Sequence, residues 1–556
     1  MLYLFICFCC ARESTQQLQG VLAENGMVSS AHPAATAIGL EILKKGGNAY
    51  DAAIAVQFAL AVAYPNAGNI GGGGFLVYRK SNGEVGSLDF REKAPMAADR
   101  DMYLDENGIA IDDLSTKGHL AVGVPGSVDG MFQIHHKLAS LPMADLIEPA
   151  IQLANSGVVL TEREAEKFNS QRDNFLEVNS YTPYYVRQEP WSEGDTIYHT
   201  ALAEVLMRVR DQGRDGFYSG ITAQLIVDEM ASGNGIITLE DLSDYQSVWR
   251  EPLIGSYKSY KIIGMPPPSS GGVALLQLLK GVEAYKIADW GHNSTNTVHV
   301  MTELERRVYA DRATYLGDPD YYEVPVDRLI STSYLDERFS DIMLDQKTSS
   351  QEIKSGKVEY IESIETTHFS IVDAAGNAAA ITTTLNGNFG SKVLVKNGGF
   401  FLNNEMDDFS IKPGEPNMYG LVGGEANEIV PGKRMLSSMT PTIIEKDHTL
   451  FMVVGTPGGS TIITSVFQTI LNVIEHGMTM QEAVNAKKFH HQWLPDHVLY
   501  EAGAMDNTTL RELEAMGHVM KLRNGLGRMD AVLIHSNGFM EGGADYTRGD
   551  NTAMGF

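Results

Sequence analysis

The 556-residue chain predicts a mixed α and β fold, and three observations carry that expectation. Residues 366–385 read as two strands joined at Ala374-Ala375-Gly376-Asn377, with Phe369 and Ile371 alternating against polar neighbours and several β-branched residues between them. Residues 33–43, 51–63 and 461–476 carry apolar residues at helical spacing or are apolar almost throughout. No internal repeat, coiled coil or low-complexity tract is evident. Periodicity carries the prediction no further than that class.

At the N-terminus, residues 2–11 form an apolar run of the length of a secretory h-region, too short to span a bilayer and with no basic residue before it. Residues 1–16 are therefore expected to be an export signal or a lipoprotein leader, placing the body of the chain in the periplasm or outside the cell. Cys7, Cys9 and Cys10 all fall in this run; Cys9 or Cys10 is a candidate for a lipid anchor, although Phe8 suits the preceding position poorly. The rest of the chain is cysteine-free, which excludes disulfides, thiolate zinc sites and cysteine nucleophiles there. No other stretch is apolar and long enough for a transmembrane helix. A formal net charge of -27 argues against nucleic-acid or anionic-membrane binding, which needs a basic surface.

Residues 27–30 read as a short strand, followed by a helix over 33–43 that Gly46-Gly47 closes. The helix over 51–63 is nearly all apolar, hence buried. The run Gly68-Asn69-Ile70-Gly71-Gly72-Gly73-Gly74 leads into a strand over 75–78. It lacks the spacing of either phosphate-binding glycine motif, so it reads as close backbone packing. A strand over 87–92 ends in Phe90-Arg91-Glu92, where the arginine suits either a surface ion pair or a carboxylate ligand. Residues 120–250 are mostly amphipathic helices; His135-His136 lacks a glutamate at metalloprotease spacing, and the acidic stretch 99–108 lacks calcium-loop glycine spacing. Met265-Pro266-Pro267-Pro268-Ser269-Ser270-Gly271-Gly272 is a rigid loop feeding a helix over 273–281. Residues 347–365, polar and rich in serine and lysine, are expected to be a mobile tail. A strand over 450–455, the turn Thr456-Pro457-Gly458-Gly459-Ser460 and the helix over 461–476, capped by Gly477, complete the readable elements.

Folding the 366–385 hairpin about Ala375 sets Thr384 opposite Thr366 or within one residue of it, with Cβ atoms about 5 Å apart. A threonine hydroxyl is a poor nucleophile without a base beside it, and the threonine's own α-amine is one known base. Such an amine titrates at about 7.7 to 8.0, which suits general-base work. A residue in mid-chain has no free amine, so this chemistry requires cleavage of the Glu365–Thr366 bond. From the residues alone, a half-buried hairpin rich in threonine because threonine suits strands stays open. The glycine turn at 456–460 offers backbone N–H groups beside the positive end of a helix, suited to an oxyanion, or is simply a tight turn.

Thr366-Thr367-His368-Phe369-Ser370, Asn403-Asn404-Glu405-Met406-Asp407-Asp408-Phe409, Leu436-Ser437-Ser438-Met439 and Gly455-Thr456-Pro457-Gly458-Gly459-Ser460 occur in one order. In these, and from about residue 20 to the C-terminus, the chain resembles the γ-glutamyltranspeptidases, self-cleaving N-terminal-nucleophile hydrolases. The resemblance implies a four-layer αββα sandwich of the α/β (α+β) class. It also implies a large subunit over 17–365 and a small catalytic subunit over 366–556, which stay together as a heterodimer. It implies Thr366 as nucleophile, Thr384 as the group orienting it, and Gly458 and Gly459 as the oxyanion hole. Arg91, Ser437 and Ser438 would hold the substrate α-carboxylate, and Asn386, Glu405 and Asp408 its α-amine. The Gly/Pro-rich loop over 412–433 would be a lid with Tyr419 closing on the pocket. Met435 departs from the proline expected before Leu-Ser-Ser. The implied donors are glutathione and other γ-glutamyl compounds, and the implied acceptors are water, amino acids or dipeptides, with no metal or cofactor. The alternatives are a β-lactam side-chain (glutaryl) acylase on the same scaffold, or a non-catalytic exported amino-acid-binding protein with Thr366 never unmasked.

Overall fold

Strands Thr367–Asp373 and Ala378–Thr384 pair antiparallel across the expected turn, with Thr367 against Thr383. Continuing that register by one residue sets Thr366 opposite Thr384, as the hairpin folded about Ala375 requires. The computed structural model describes residues 17–353, 366–412, 418 and 423–556. The expected leader over 1–16, the scissile residue Glu365 and the aromatic lid residue Tyr419 lie outside them.

The hairpin is the middle of a seven-stranded sheet, in the order Thr552–Gly555, Gly26–Ser30, Thr367–Asp373, Ala378–Thr384, Gly73–Arg79, Val85–Asp89 and Val248–Arg250. A second seven-stranded sheet packs against it, in the order Val21–Ala23, Met540–Ala544, Asp530–Ile534, Thr449–Gly455, Thr442–Lys446, Tyr260–Gly264 and Leu253–Tyr257. Every pairing in both sheets is antiparallel. Both sheets mix strands from before and after Thr366. Helices Pro33–Lys44 and Ala49–Ala63 cover the first sheet, and Gly271–Val282, Thr295–Tyr315 and Thr461–Ile474 lie on the far side of the second. The result is the four-layer αββα sandwich of the N-terminal-nucleophile hydrolases.

Strand alternation sorts the side chains between these layers. Phe369, Ile371, Ala379 and Ile381 face the buried helices Pro33–Lys44 and Ala49–Ala63. Their neighbours Val372, Ala378 and Ala380 join the core that includes Ile443, Met452 and Val454 of the opposing sheet. His368 and Ser370 share the face of Val372, and there the two sheets nearly touch. A Cβ on Gly455 would lie 2.3 Å from the His368 ring, so only glycine fits opposite it. Ser370 Oγ donates to the Asp530 carbonyl of the second sheet (3.0 Å), and the buried Arg79–Glu445 pair also crosses between sheets (2.6 Å).

Most predicted elements are observed with small boundary shifts. The helix over 51–63 starts at Ala49, behind a reciprocal cap between Asn48 and Asp51. The helix expected over 461–476 ends at Ile474 with Glu475 as its cap, and Gly477, at φ 65, follows two residues later. The Gly72 Cβ would lie 2.0 Å from the Thr384 carbonyl oxygen, which accounts for the glycine cluster as close packing against the central hairpin. Two expectations need correction. The strand over 87–92 spans only Val85–Asp89, because Arg91 has turned out of the sheet with its amide on Asp89 Oδ1 (2.9 Å). The first part of the presumed mobile tail is pinned: Lys347 N donates to Met516 O, Ser350 N to Asp496, and Trp493 Nε1 to the carbonyls of Ser350 and Ile353. Residues 354–365 lie outside the described set. No described helix is long and apolar enough to cross a membrane.

Burial pushes the His368 imidazole down to about 3, so it is neutral at physiological pH. Ser370 Oγ spends its hydrogen on Asp530 O, so His368 Nε2–H donates to Ser370 Oγ (3.0 Å) and Nδ1 accepts from Thr382 Oγ1 (2.8 Å). Because the folded pKa lies below the unfolded value of 6.5, the unfolded chain takes up this proton first. The contribution to stability is complete above about 6.5 and is lost as pH falls toward 3. A His368→Gln variant is expected to melt at a lower temperature at pH 7. Between pH 6.5 and 4 its melting temperature should fall less steeply than that of the unsubstituted protein, and parallel slopes would refute this assignment.

Candidate active site

Thr366 precedes the first hydrogen-bonded residue of the central strand, and its even numbering places it on the face of His368 and Ser370, between the sheets. Its Oγ1 lies 3.3 Å from Thr384 Oγ1, with both residues buried. Thr384 Oγ1 also accepts the Asn386 amide (2.7 Å), which fixes the second hydroxyl from its own strand end. Asn386 has φ 71, a conformation asparagine tolerates better than most residues, and its Nδ2 donates to the Asn404 carbonyl (3.0 Å). The sheet thereby ends in a pair of hydroxyls held against each other.

A cleft with about 260 Å³ of empty space opens at this pair. Its lining unites Arg91, Thr366, Thr384, Asn386, Glu405, Asp408, Ser437, Ser438 and Gly459, residues drawn from five separate stretches of sequence, with Met439 and Ile462 as apolar walls. Of the predicted site residues that are described, only Gly458 is not in the lining, and it adjoins Gly459.

Arg91 organises one side. Its Nη1 lies 2.6 Å from Glu405 Oε2 and 3.5 Å from Glu92 Oε2, and its Nη2 lies 2.5 Å from Asp408 Oδ2. Glu405 and Asp408 project from the single 3-10 turn Glu405–Asp408, so one short turn delivers both carboxylates. Three carboxyl groups around one guanidinium cannot all ionise cheaply in a buried site. Burial raises Glu405 well above its usual range and pushes Glu92 up to about 8, with Arg91 opposing both shifts, and it raises Asp408 as well. Arg91 is held fully charged, because its three acidic neighbours outweigh its desolvation. Asp407, on the opposite side of the turn, accepts from Ser115 Oγ (2.7 Å) and from the Met418 amide (2.8 Å), tying down the one described residue within 413–422.

The other side offers donors. Ser437 Oγ accepts from Met439 N (3.1 Å) and Ser438 Oγ from Arg312 Nη2 (3.1 Å), so each hydroxyl keeps its hydrogen for another acceptor. Gly458 and Gly459 take φ 141 and φ 54, and a Cβ on Gly458 would meet Thr461 Oγ1 at 2.5 Å. Their carbonyls are engaged by the start of helix Thr461–Ile474: Thr461 N donates to Gly458 O and Ile462 N to Gly459 O. Neither glycine amide donates to another described residue. The substituted position Met435 is buried among Tyr103, Met406 and Phe409, and contributes only its carbonyl, 3.4 Å from Arg91 Nε.

Sequence reading missed Met439 and Ile462, whose apolar side chains carry no chemical signature, and Arg312. Helix Thr295–Tyr315 buries Glu303, Glu305, Arg306, Arg307 and Arg312, so a charge-rich stretch that resembles a solvated face is in fact interior. His135 Nε2–H donates to the Leu141 carbonyl (2.9 Å), and His135 has no place in the cleft.

The model of the gamma-glutamyltranspeptidase family matches residues 35–555. A glutathione hydrolase proenzyme of Escherichia coli K12 is 43% identical over 538 residues, covering 96% of this chain and 93% of that one. Among solved structures, the gamma-glutamyltranspeptidase of Helicobacter pylori superposes with a TM-score of 0.57 at 41% identity, over 64% of this chain and 99% of that chain. A cephalosporin acylase from Bacillus halodurans superposes with a TM-score of 0.85 over 99% of both chains, a likeness of fold alone at 24% identity. Fold, site and these relatives agree: the chain belongs to the gamma-glutamyltranspeptidase family.

Proposed function

We propose that the protein is a γ-glutamyltransferase and glutathione hydrolase that matures by cleaving itself before Thr366. The observation that carries this reading is the cleft itself. A nucleophilic hydroxyl pair meets, in one enclosure, a guanidinium with two hydroxyl donors and a pair of carboxylates. Together they complement the zwitterionic head of a free amino acid whose side-chain carbonyl reaches the hydroxyl. A glutaryl acyl group lacks the α-amine, and would leave Glu405 and Asp408 with Arg91 as their one cation and no ligand ammonium to share, so the acylase alternative fits the lining less well.

In maturation, Thr366 Oγ1 attacks the Glu365 carbonyl carbon, the peptide C–N bond breaks as the C–O bond forms, and water hydrolyses the resulting ester. This frees the Thr366 α-amine and a carboxylate on Glu365. In turnover the amine takes the hydroxyl proton as Oγ1 attacks the γ-carbonyl of a donor such as glutathione. Thr384 orients that hydroxyl, and the amides of Gly458 and Gly459 receive the oxyanion. The amine then protonates the departing nitrogen of cysteinylglycine, leaving a γ-glutamyl ester on Thr366. Water resolves the ester to glutamate, or the amine of an amino acid or dipeptide resolves it to a new γ-glutamyl compound. Arg91, Ser437 and Ser438 hold the donor's α-carboxylate, with Asn386, Glu405 and Asp408 on its α-amine. The segments 17–365 and 366–556 remain a heterodimer, because each sheet contains strands of both. The apolar run at 2–11 supports an exported location.

Three outcomes are expected. Denaturing electrophoresis with mass spectrometry should give two fragments, the smaller beginning at Thr366, and Thr366→Ala should stay one chain without turnover. A folded but uncleaved parent protein would remove the base the mechanism needs. In the cleaved enzyme, kcat/KM for γ-glutamyl-p-nitroanilide should rise with pH through about 7.7 to 8.0 as the α-amine loses its proton. Thr384→Val should lower kcat by about 10²-fold and leave KM nearly unchanged, because it removes orientation and leaves the binding groups in place.

A further inference from the structure

We propose that Arg312 is a second cation of this site, a positioning residue that fixes Ser438 from behind and provides countercharge for the donor's α-carboxylate; this rests on the γ-glutamyl reading above.

Arg312 lies near the C-terminal end of helix Thr295–Tyr315 and is 5% exposed. The other buried arginines of that helix are paired: Arg306 with Glu303 and Asp496, and Arg307 with Glu303 and Asp341. The adjacent Asp311 is taken by Arg338 and Gln277. Among the described residues no carboxylate pairs with Arg312, whose hydrogen bonds go to two serines: Nε to Ser270 Oγ (3.0 Å) and Nη2 to Ser438 Oγ (3.1 Å). After the Tyr309 phenol, the acidic side chain that it feels most is the Asp408 carboxyl, in the lining of the cleft. Burial lowers its pKa to about 10, so it stays charged at neutral pH. A buried charge without an opposite partner is costly, and is most economically explained when a ligand completes the pair.

The hydrogen-bond directions say which ligand. Because Ser438 Oγ accepts from Arg312, its hydrogen points elsewhere, and Ser438 lines the cleft. Ser270, held by Arg312, donates through both Oγ and N to the Ser437 carbonyl (2.7 Å each), so one guanidinium sets the backbone of one serine and the hydroxyl of the next. Both hydroxyls are thereby prepared as donors to an anion. Arg91 alone does not make the cleft attractive to a carboxylate, since Glu405, Asp408 and Glu92 already surround it. Arg312 redresses that balance on the serine side and leaves the carboxylate side for the α-amine. A lysine cannot replace it, because a single ammonium on a flexible stem does not reach both serines in the fixed geometry of a guanidinium.

The test uses the self-cleaved enzyme with Arg312→Met, Arg312→Lys, Ser438→Ala and the Arg312→Met/Ser438→Ala double variant. KM and kcat are measured with γ-glutamyl-p-nitroanilide, and Ki is measured for L-glutamate and for 4-aminobutyrate, which is glutamate without its α-carboxylate. Arg312→Met should raise KM and the glutamate Ki by about 10- to 100-fold, with kcat changed far less and the 4-aminobutyrate Ki within about 3-fold. Arg312→Lys should fall between, and the double variant should be no worse than Arg312→Met. Equal weakening toward both inhibitors, unchanged Ki values, or additive effects of the two substitutions would overturn the proposal. If Arg312→Met fails to fold or to cleave itself, Arg312→Lys and Ser438→Ala decide, each required to weaken glutamate selectively. Lack of γ-glutamyl turnover by the parent enzyme would instead refute the functional reading on which this rests.

Discussion

The position of one strand governs this molecule. Thr367–Asp373 is hydrogen-bonded on both edges, to Gly26–Ser30 and to Ala378–Thr384, and is covered by helices on one face and by a second sheet on the other. A strand so enclosed has no freedom of register, because slipping by one residue would push Phe369 and Ile371 toward His368's partners and drive the imidazole among aliphatic side chains. The register in turn decides where Thr366 sits and which hydroxyl it meets. The pairing of hydroxyls at the strand end is therefore a consequence of packing several residues away.

The same enclosure explains the polar character of the inter-sheet layer beneath the site. Thr366 meets Thr384, His368 meets Thr382 and Ser370, and Ser370 reaches Asp530 of the other sheet, which Ser29 and Asn551 also contact. Buried polar groups are tolerated when each finds a partner, and a satisfied network specifies one arrangement of two sheets where an aliphatic interface would permit several. The close approach at Gly455 is part of that specification. Interleaving adds a second consequence: the proposed cut before Thr366 would leave each part hydrogen-bonded into both sheets, so it would not separate the two parts.

Electrostatically the cleft is divided. Carboxyl groups cluster on the short turn Glu405–Asp408 around Arg91, while serine hydroxyls and glycine amides occupy the side toward helix Thr461–Ile474. Separating acceptors from donors across a small enclosure suits a zwitterion in one orientation, and on the proposed reading that orientation would present a γ-carbonyl rather than an α-carboxylate to Thr366. Arg312, reaching the site through Ser270 and Ser438, belongs to this division although it comes from a helix on the opposite face of the second sheet.

By itself the sequence determined much of this protein. The alternation of 366–385 placed Thr384 against Thr366, the apolar runs at 33–43, 51–63 and 461–476 gave the helices, and the glycine turn at 456–460 marked a helix start. Those are local features, set by periods of 2 and 3.6 and by turn chemistry that neighbouring residues carry. The motif resemblance supplied the remaining site residues and the layered architecture. Only the tertiary structure decided that the strand before Arg91 ends three residues early, at Asp89, so that Arg91 meets Glu405 and Asp408, that residues 347–353 are pinned where a loose tail was expected, and that the charges of helix Thr295–Tyr315 are interior. Each depends on partners outside its own element, many of them more than a hundred residues away, and a side chain's charge or polarity does not record whether water or a distant ion pair will satisfy it.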